Sequence, residues 1–196
     1  MDQDVKSICI YCASSTQIDE SYFAAAKLLG KLMGQQGIRL INGAGNLGLM
    51  QATTDGCMEV GGTTIGVIPT FMIKENWCHK GMTEIIETPD MHTRQEKMAE
   101  LSDAAIVLPG GCGTFAEFLE LITWKQLGLY LKPIVLLNTN RYFDPLLEAL
   151  HQATEQHFMR PQHTNIWKVA QTPEEALSLA LSTPLWDTSI RKIAAI

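Results

Sequence analysis

Short apolar runs of four to eight residues alternate along the chain with stretches of ten or more whose apolar residues recur at helical spacing. The runs Val5–Cys12, Ile38–Ile41, Thr63–Ile68, Glu84–Glu87, Ala104–Leu108, Ile134–Leu137 and Trp167–Ala170 read as strands, and most are apolar enough to be buried on both faces. Between them, Asp19–Gln36 places Tyr22, Ala25, Ala26, Leu29 and Met33 on one stripe and ends at Gly37, a residue suited to the left-handed turn that closes a helix. Further helices are expected from Gly48 to about Val60, over Asp90–Leu101 with Asp90 as N-cap, over Thr114–Leu127, over Pro145–His157 and over Pro173–Leu181. Strands separated by helices of this length imply βαβ units and a parallel sheet covered on both faces. No repeat or linker divides the chain, so residues 1–196 are expected to form one Rossmann-like α/β domain. The longest irregular piece, Asn76–Met82, is expected to be a mobile loop.

Composition narrows what such a domain does. With 46 % hydrophobic and 18 % charged residues, the 196-residue chain can fill a core and is not disordered. No apolar run approaches the ~18–20 residues of a membrane span. The opening Met1-Asp2-Gln3-Asp4 is acidic rather than basic-then-apolar, so no secretory leader and a cytoplasmic location are expected. Fifteen Lys and Arg against 21 Asp and Glu give a net charge of −6, which opposes nucleic-acid binding in general. Five scattered cysteines, Cys9, Cys12, Cys57, Cys78 and Cys112, suit free thiols in a reducing compartment. Cys9 and Cys12 form a CxxC, but strand geometry sends them to opposite faces and no second ligand pair exists, so no metal site is expected.

In open parallel sheets, ligands sit beyond the carboxyl ends of the strands. That rim should carry Ala13-Ser14-Ser15, the loop Gly43–Gly48 and the loop Pro109–Thr114, with Ser14, Gly43 and Gly45 as binding candidates. Gly43-Ala44-Gly45-Asn46-Leu47-Gly48 matches the dinucleotide pattern G-x-G-x-x-G. It follows the second strand rather than the first, however, and the next strand ends in Pro69-Thr70 without the acidic residue that holds a ribose. Contact with a single phosphate or nucleotide fits this loop better, and a plain tight turn is its alternative.

Pro109-Gly110-Gly111-Cys112-Gly113-Thr114 is richer in information. Its glycines allow close backbone approach, and the helix expected from Thr114 presents free N–H groups to an anion. No Lys follows the last glycine, which excludes a Walker loop. Glu117 has two readings here: a carboxylate facing the ligand, or the far half of a capping box with Thr114. On the helix before it, Met91, Arg94, Met98 and Leu101 share one stripe, so the Arg94 charge points inward and needs a partner or an anion. Snorkelling to solvent is the alternative. His92 points elsewhere and reads as structural. An inward Arg, an acid and a helix N-terminus on one rim make a site for a phosphate ester or glycosyl phosphate.

Met91-His92-Thr93-Arg94 followed by Pro109-Gly110-Gly111-Cys112-Gly113-Thr114-Phe115-Ala116-Glu117 resembles the signature of the Lonely Guy family. These are nucleoside 5′-monophosphate phosphoribohydrolases that activate cytokinins, often labelled possible lysine decarboxylases. The likeness extends to Gly45-Asn46-Leu47-Gly48-Leu49-Met50, Val67-Ile68-Pro69, Ser102-Asp103-Ala104 and Ile122-Thr123-Trp124-Lys125-Gln126-Leu127-Gly128. The resemblance implies that Arg94 and Glu117 are the catalytic pair. It also implies that Gly110, Gly111, Cys112, Gly113, Thr114, Phe115 and Ala116 bind phosphate and ribose, with Thr123 and Glu75 as further substrate contacts. Members are dimers or larger, with sites near the subunit interface. This chain departs from the pattern at Gln95, where the family usually has Lys and where a positive charge beside the phosphate is therefore lost. It departs again at Asn42 and Ala44, at Cys112 in place of Tyr, and at His157 in place of Gly.

The activity implied is cleavage of an N-glycosidic bond, whose transition state carries positive charge on the ribose. A carboxylate there stabilises that charge, orients a ribose hydroxyl or activates water; Arg94 is expected to position substrate and hold Glu117 ionised. No cofactor or metal is called for. The decarboxylase label would require a pyridoxal-binding Lys with an acidic partner, and only Cys78-His79-Lys80 offers one, in an irregular loop. A non-catalytic nucleotide-binding or regulatory protein on the same fold is the alternative from a different class. Leu119, Ile122, Trp124 and Leu127 spread apolar groups widely around one helix, which predicts a homodimer formed through it.

Overall fold

Seven strands, all parallel, stand in the order β4-β3-β2-β1-β5-β6-β7 in the computed structural model, which describes residues 5–190. Residues 1–4, with the acidic opening, and 191–196 lie outside the described residues, as does that much of the expected domain. The strands are β1 (Ser7–Tyr11), β2 (Arg39–Asn42), β3 (Thr64–Pro69), β4 (Glu84–Thr88), β5 (Ala104–Val107), β6 (Ile134–Leu137) and β7 (Lys168–Ala170). Between them run α1 (Glu20–Gln35), α2 (Gly48–Glu59), α3 (Thr70–Lys74), α4 (Met91–Leu101), α5 (Cys112–Gln126) and α6 (Asp144–Glu155), and α7 (Pro173–Ser182) follows β7. The order grows outward from β1 in both directions. Loops leaving β1 and β5 therefore part to opposite sides and leave a crevice at the carboxyl end of the sheet.

Strand parity sorts the core. From β1, Ile8 and Ile10 pack with α1, α2 and α7, whereas Cys9 and Tyr11 pack with α4, α5 and α6. Cys9 and Cys12 do fall on opposite faces, and all five cysteines are free. On the first face α1 and α2 touch backbone to backbone. A Cβ added at Gly30 would strike the Thr53 carbonyl, and one at Gly56 would strike the Lys27 carbonyl. Asp19 caps α1 by accepting from the Ser21 amide at 2.9 Å, Asp90 caps α4 by accepting from the Thr93 amide at 2.8 Å, and Gly37 takes the left-handed φ of 69°.

One element was not foreseen, and two expectations need correction. The five-residue helix α3 follows β3 directly, and nothing in its short sequence carries a helical period. The α5 helix begins at Cys112 with Gly111 as N-cap, so Thr114 already lies inside it and cannot cap. Segment 76–82, expected to be a mobile loop, is tied down: Trp77 accepts from the Asn46 amide at 3.0 Å, the His79 amide donates to the Ala44 carbonyl at 2.8 Å, and His79 Nε2 meets Asp55 Oδ1 at 3.0 Å. No described helix is long and apolar enough to cross a membrane.

Candidate active site

The three loops expected on one rim do meet there. Behind β1, the Ala13 amide donates to the Pro109 carbonyl at 3.1 Å, and the Ala13 carbonyl accepts from Leu49 at the start of α2 at 2.9 Å. Gly48, with φ of 65°, lies so close to Ser14 that a Cβ would strike its backbone. Together these segments enclose a cleft of about 330 Å³, within the range of small-ligand sites. Ser14, Gly43, Arg94, Gly111, Gly113, Thr114 and Glu117 line it, and Met50, Met72, Met91 and Met98 supply soft apolar walls.

Arg94 is buried, and its guanidinium is fixed twice. Nε donates to the Val67 carbonyl at the end of β3 at 3.1 Å, and Nη1 donates to Glu117 Oε1 at 3.0 Å. The guanidinium also fills the space beside Gly43, where any Cβ would collide with Nη2, so this glycine is required by the arginine. The inward charge has found its partner, and neither snorkelling nor a capping box describes the pair. Burial raises the Glu117 pKa above the usual carboxylate range, and the attraction of Arg94 pulls it back only in part. Arg94 thus acts on Glu117 in the expected sense, favouring its ionised form, against a desolvation that is the larger effect.

The N-terminus of α5 lines the same cleft. No side chain caps it, and the helical ladder starts with the Phe115 amide bonding the Gly111 carbonyl at 3.0 Å. The amides of Cys112, Gly113 and Thr114 precede that bond and have no intrahelical acceptor, so they are available to an anion. Gly110 is held against Thr114, whose Oγ1 a Cβ would hit. The Gly110 carbonyl in turn accepts from the Tyr142 hydroxyl at 2.6 Å, and the Tyr142 ring stacks on Phe115 at 6.3 Å. Sequence reading missed Tyr142, because the brace spans 32 residues from a loop after β6 that carries no motif.

Other candidates fall outside the cleft. Gly110, Phe115 and Ala116 support or flank the turn, and Cys112 is exposed at its first helical position. Gly45 pairs with Cys78 in an isolated bridge instead of lining the cleft. Glu75 is exposed at the end of α3, and Thr123 is exposed on α5 with its hydroxyl donated to the Leu119 carbonyl at 2.9 Å. Gln95 does not line the cleft: its amide donates to the Glu117 main-chain carbonyl at 3.2 Å. Met91 is not core as its stripe suggested but lies 45 % exposed at the rim. Lys80 is exposed and lines no part of the cleft, whose lining residues include no lysine to carry a Schiff base.

A buried Arg–carboxylate pair facing free helix amides at a sheet switch point defines a class: α/β proteins that hold a phosphorylated small molecule beside an ionisable acid. The comparisons with known proteins narrow it. Residues 50–180 match the family model described as possible lysine decarboxylase. A probable cytokinin riboside 5′-monophosphate phosphoribohydrolase of Oryza sativa subsp. japonica is 38 % identical over 96 % of this chain and 76 % of its own. The cytokinin riboside 5′-monophosphate phosphoribohydrolase of Rhodococcoides fascians is 40 % identical over 80 % of this chain and 79 % of its own. The chain belongs to this phosphoribohydrolase family. Among solved structures, the molybdenum cofactor carrier protein of Chlamydomonas reinhardtii superposes with a TM-score of 0.66 at 27 % identity, covering 88 % of this chain and 93 % of that one. The molybdenum cofactor binding protein of Rippkaea orientalis, at 24 % identity and a TM-score of 0.68 over 88 % of this chain and 93 % of that one, shares the fold.

Proposed function

We propose that this protein hydrolyses the N-glycosidic bond of a purine nucleoside 5′-monophosphate, releasing the free base and ribose 5-phosphate. The observation that carries the reading is the buried Arg94–Glu117 pair on the wall of a cleft whose mouth holds the unpaired amides of α5. The amides and the Thr114 hydroxyl take the 5′-phosphate, which sets the ribose over Glu117. As the bond from C1′ to the base nitrogen breaks, its electron pair leaves with the base and positive charge grows on the ribose, where the ionised Glu117 stabilises it. A water oxygen then bonds to C1′ from the open face. One of its protons remains on the new hydroxyl, and the other balances the base. Arg94 keeps Glu117 aimed and tempers the effect of its burial. The relatives' names point to N6-modified adenines, and the methionine walls suit an apolar substituent there.

Hydrogen bonds to a charged group are worth about 1.5–3 kcal/mol each, so two or three favour AMP over adenosine by about 10³ in kcat/KM. Chromatographic release of base from AMP and N6-substituted AMP, against adenosine, measures this without added cofactor. Equal values would reduce the glycine loop to a tight turn. Binding of monophosphates with no release of base would favour the other class, a nucleotide-binding or regulatory protein.

We also propose a homodimer and a cytoplasmic location, with neither nucleic acid nor membrane as partner. Ile122 is buried and Trp124 packs on the core, so those two leave the predicted interface. Leu119 and Leu127 stay exposed along α5 with Thr123 between them, and Leu129 and Phe158 extend the patch at 67 % and 77 % exposure. Light scattering at micromolar concentration tests it, and a monomer overturns it.

A further inference from the structure

Gln95 follows Arg94 on α4, and both side chains reach one residue of α5. Arg94 Nη1 meets the Glu117 carboxylate at 3.0 Å, while Gln95 Nε2 donates to the Glu117 main-chain carbonyl at 3.2 Å. Gln95 is only 8 % exposed and does not line the cleft. The Glu117 carbonyl lies mid-helix, where the ladder already supplies it a donor four residues on. The second donor is therefore not needed to satisfy it, and what the amide adds is a constraint on how α5 sits against α4. Glu117 is gripped at both ends, by charge at its carboxylate and by a neutral amide at its backbone.

We propose that Gln95 is a positioning residue for the Arg94–Glu117 pair, acting through the Glu117 backbone and not through the phosphate. The proposal rests on the hydrolase reading, and its test separates the two. Gln95→Met keeps the side chain's length and removes the donor. Because small displacements of a catalytic group are costly, kcat for AMP should fall about ten-fold, with KM and the AMP-to-adenosine ratio unchanged. Gln95→Lys keeps a donor at similar reach and should restore kcat to within about three-fold of the parent. NMR titration of the Glu117 side-chain carboxyl, which needs no turnover, should show its pKa rising further in Gln95→Met as the grip of Arg94 loosens. A changed KM or AMP-to-adenosine ratio at constant kcat would overturn the proposal in favour of phosphate contact. An unchanged Glu117 titration would overturn it whether or not the protein hydrolyses any monophosphate. If Gln95→Met does not fold, Gln95→Ser, which withdraws the donor but leaves a group that water can solvate, carries the same comparison.

Discussion

On one face of the sheet, α1, α2 and α7 close over a core of hydrocarbon; on the other, α4 and α5 close over a hydrocarbon core that also buries charge. Among the buried polar side chains of the first face, Asn42 donates to the hydroxyls of Thr53 and Thr54, and Gly30 and Gly56 let two helix backbones touch. The second face buries Arg94, Gln95, Glu117 and Lys125. Buried charge is weak evidence for stability, since desolvation consumes most of what attraction returns. Of these groups, Arg94 and Glu117 line the cleft. On the proposed hydrolase reading, the contrast separates the face that only packs from the face that also reacts.

A pair of substitutions tests that separation. Glu117→Gln keeps an oxygen for Arg94 Nη1 but loses the charge that meets the developing cation. We expect kcat to fall by about 10²–10⁴ with little change in melting temperature. Gly30→Val forces a side chain against the Thr53 carbonyl and, at 2.9 Å from its Cβ position, the Cys57 amide. It should destabilise by roughly 3 kcal/mol, the upper range for overpacking, while each folded molecule keeps its turnover. Thermal melts paired with active-site-normalised rates read both. The comparison breaks if Glu117→Gln melts as early as Gly30→Val, or if Gly30→Val slows the folded enzyme.

The packing face was the more legible in sequence, because strand parity and helical stripes are local signals read without knowing the neighbours. The cleft face was legible where residues belong to short motifs: the inward Arg94, the glycine loop and Glu117 come to one cleft, with Arg94 paired to Glu117. What escaped depends on contacts across the chain. Gln95 is a neighbour of Arg94, so helix geometry alone turns it to another face, yet both side chains reach Glu117 of α5, one at its carboxylate and one at its main chain. Tyr142 follows Asn140 and Arg141, whose positive φ values of 55° and 59° bend a loop onto Gly110 with no glycine to announce the bend. The start of α5 was hidden by Cys112-Gly113, poor helix formers lying ahead of Thr114. The balance at Glu117 turned on how deeply it is buried, which no spacing reveals.

Lys125 sharpens the contrast from within the reacting face, with the smallest effect. It is buried on α5, donates to the Lys132 carbonyl at 2.6 Å and lies 5.6 Å from the Trp186 ring, and among the described residues no carboxylate pairs with it. Burial lowers its pKa from 10.5 to about 8, with Lys168 adding repulsion. Below pH 8 both folded and unfolded chains carry the proton, and the folded state bears the full desolvation penalty. Between about pH 8 and 10.5 the unfolded chain still holds the proton while the folded one has lost it, so this group's contribution to stability rises with pH. The buried thiols act in the opposite sense above pH 9, since burial raises Cys9, Cys12 and Cys57 and folding opposes their ionisation. The readout is therefore a difference. Lys125→Met fills the same space without charge and should be more stable than the parent by about 1–3 kcal/mol at pH 7. That advantage should shrink as denaturant melts are repeated toward pH 10, where the parent's lysine is neutral when folded. An advantage that stays constant with pH would mean the lysine is not desolvated, and the reacting face would hold one fewer uncompensated charge.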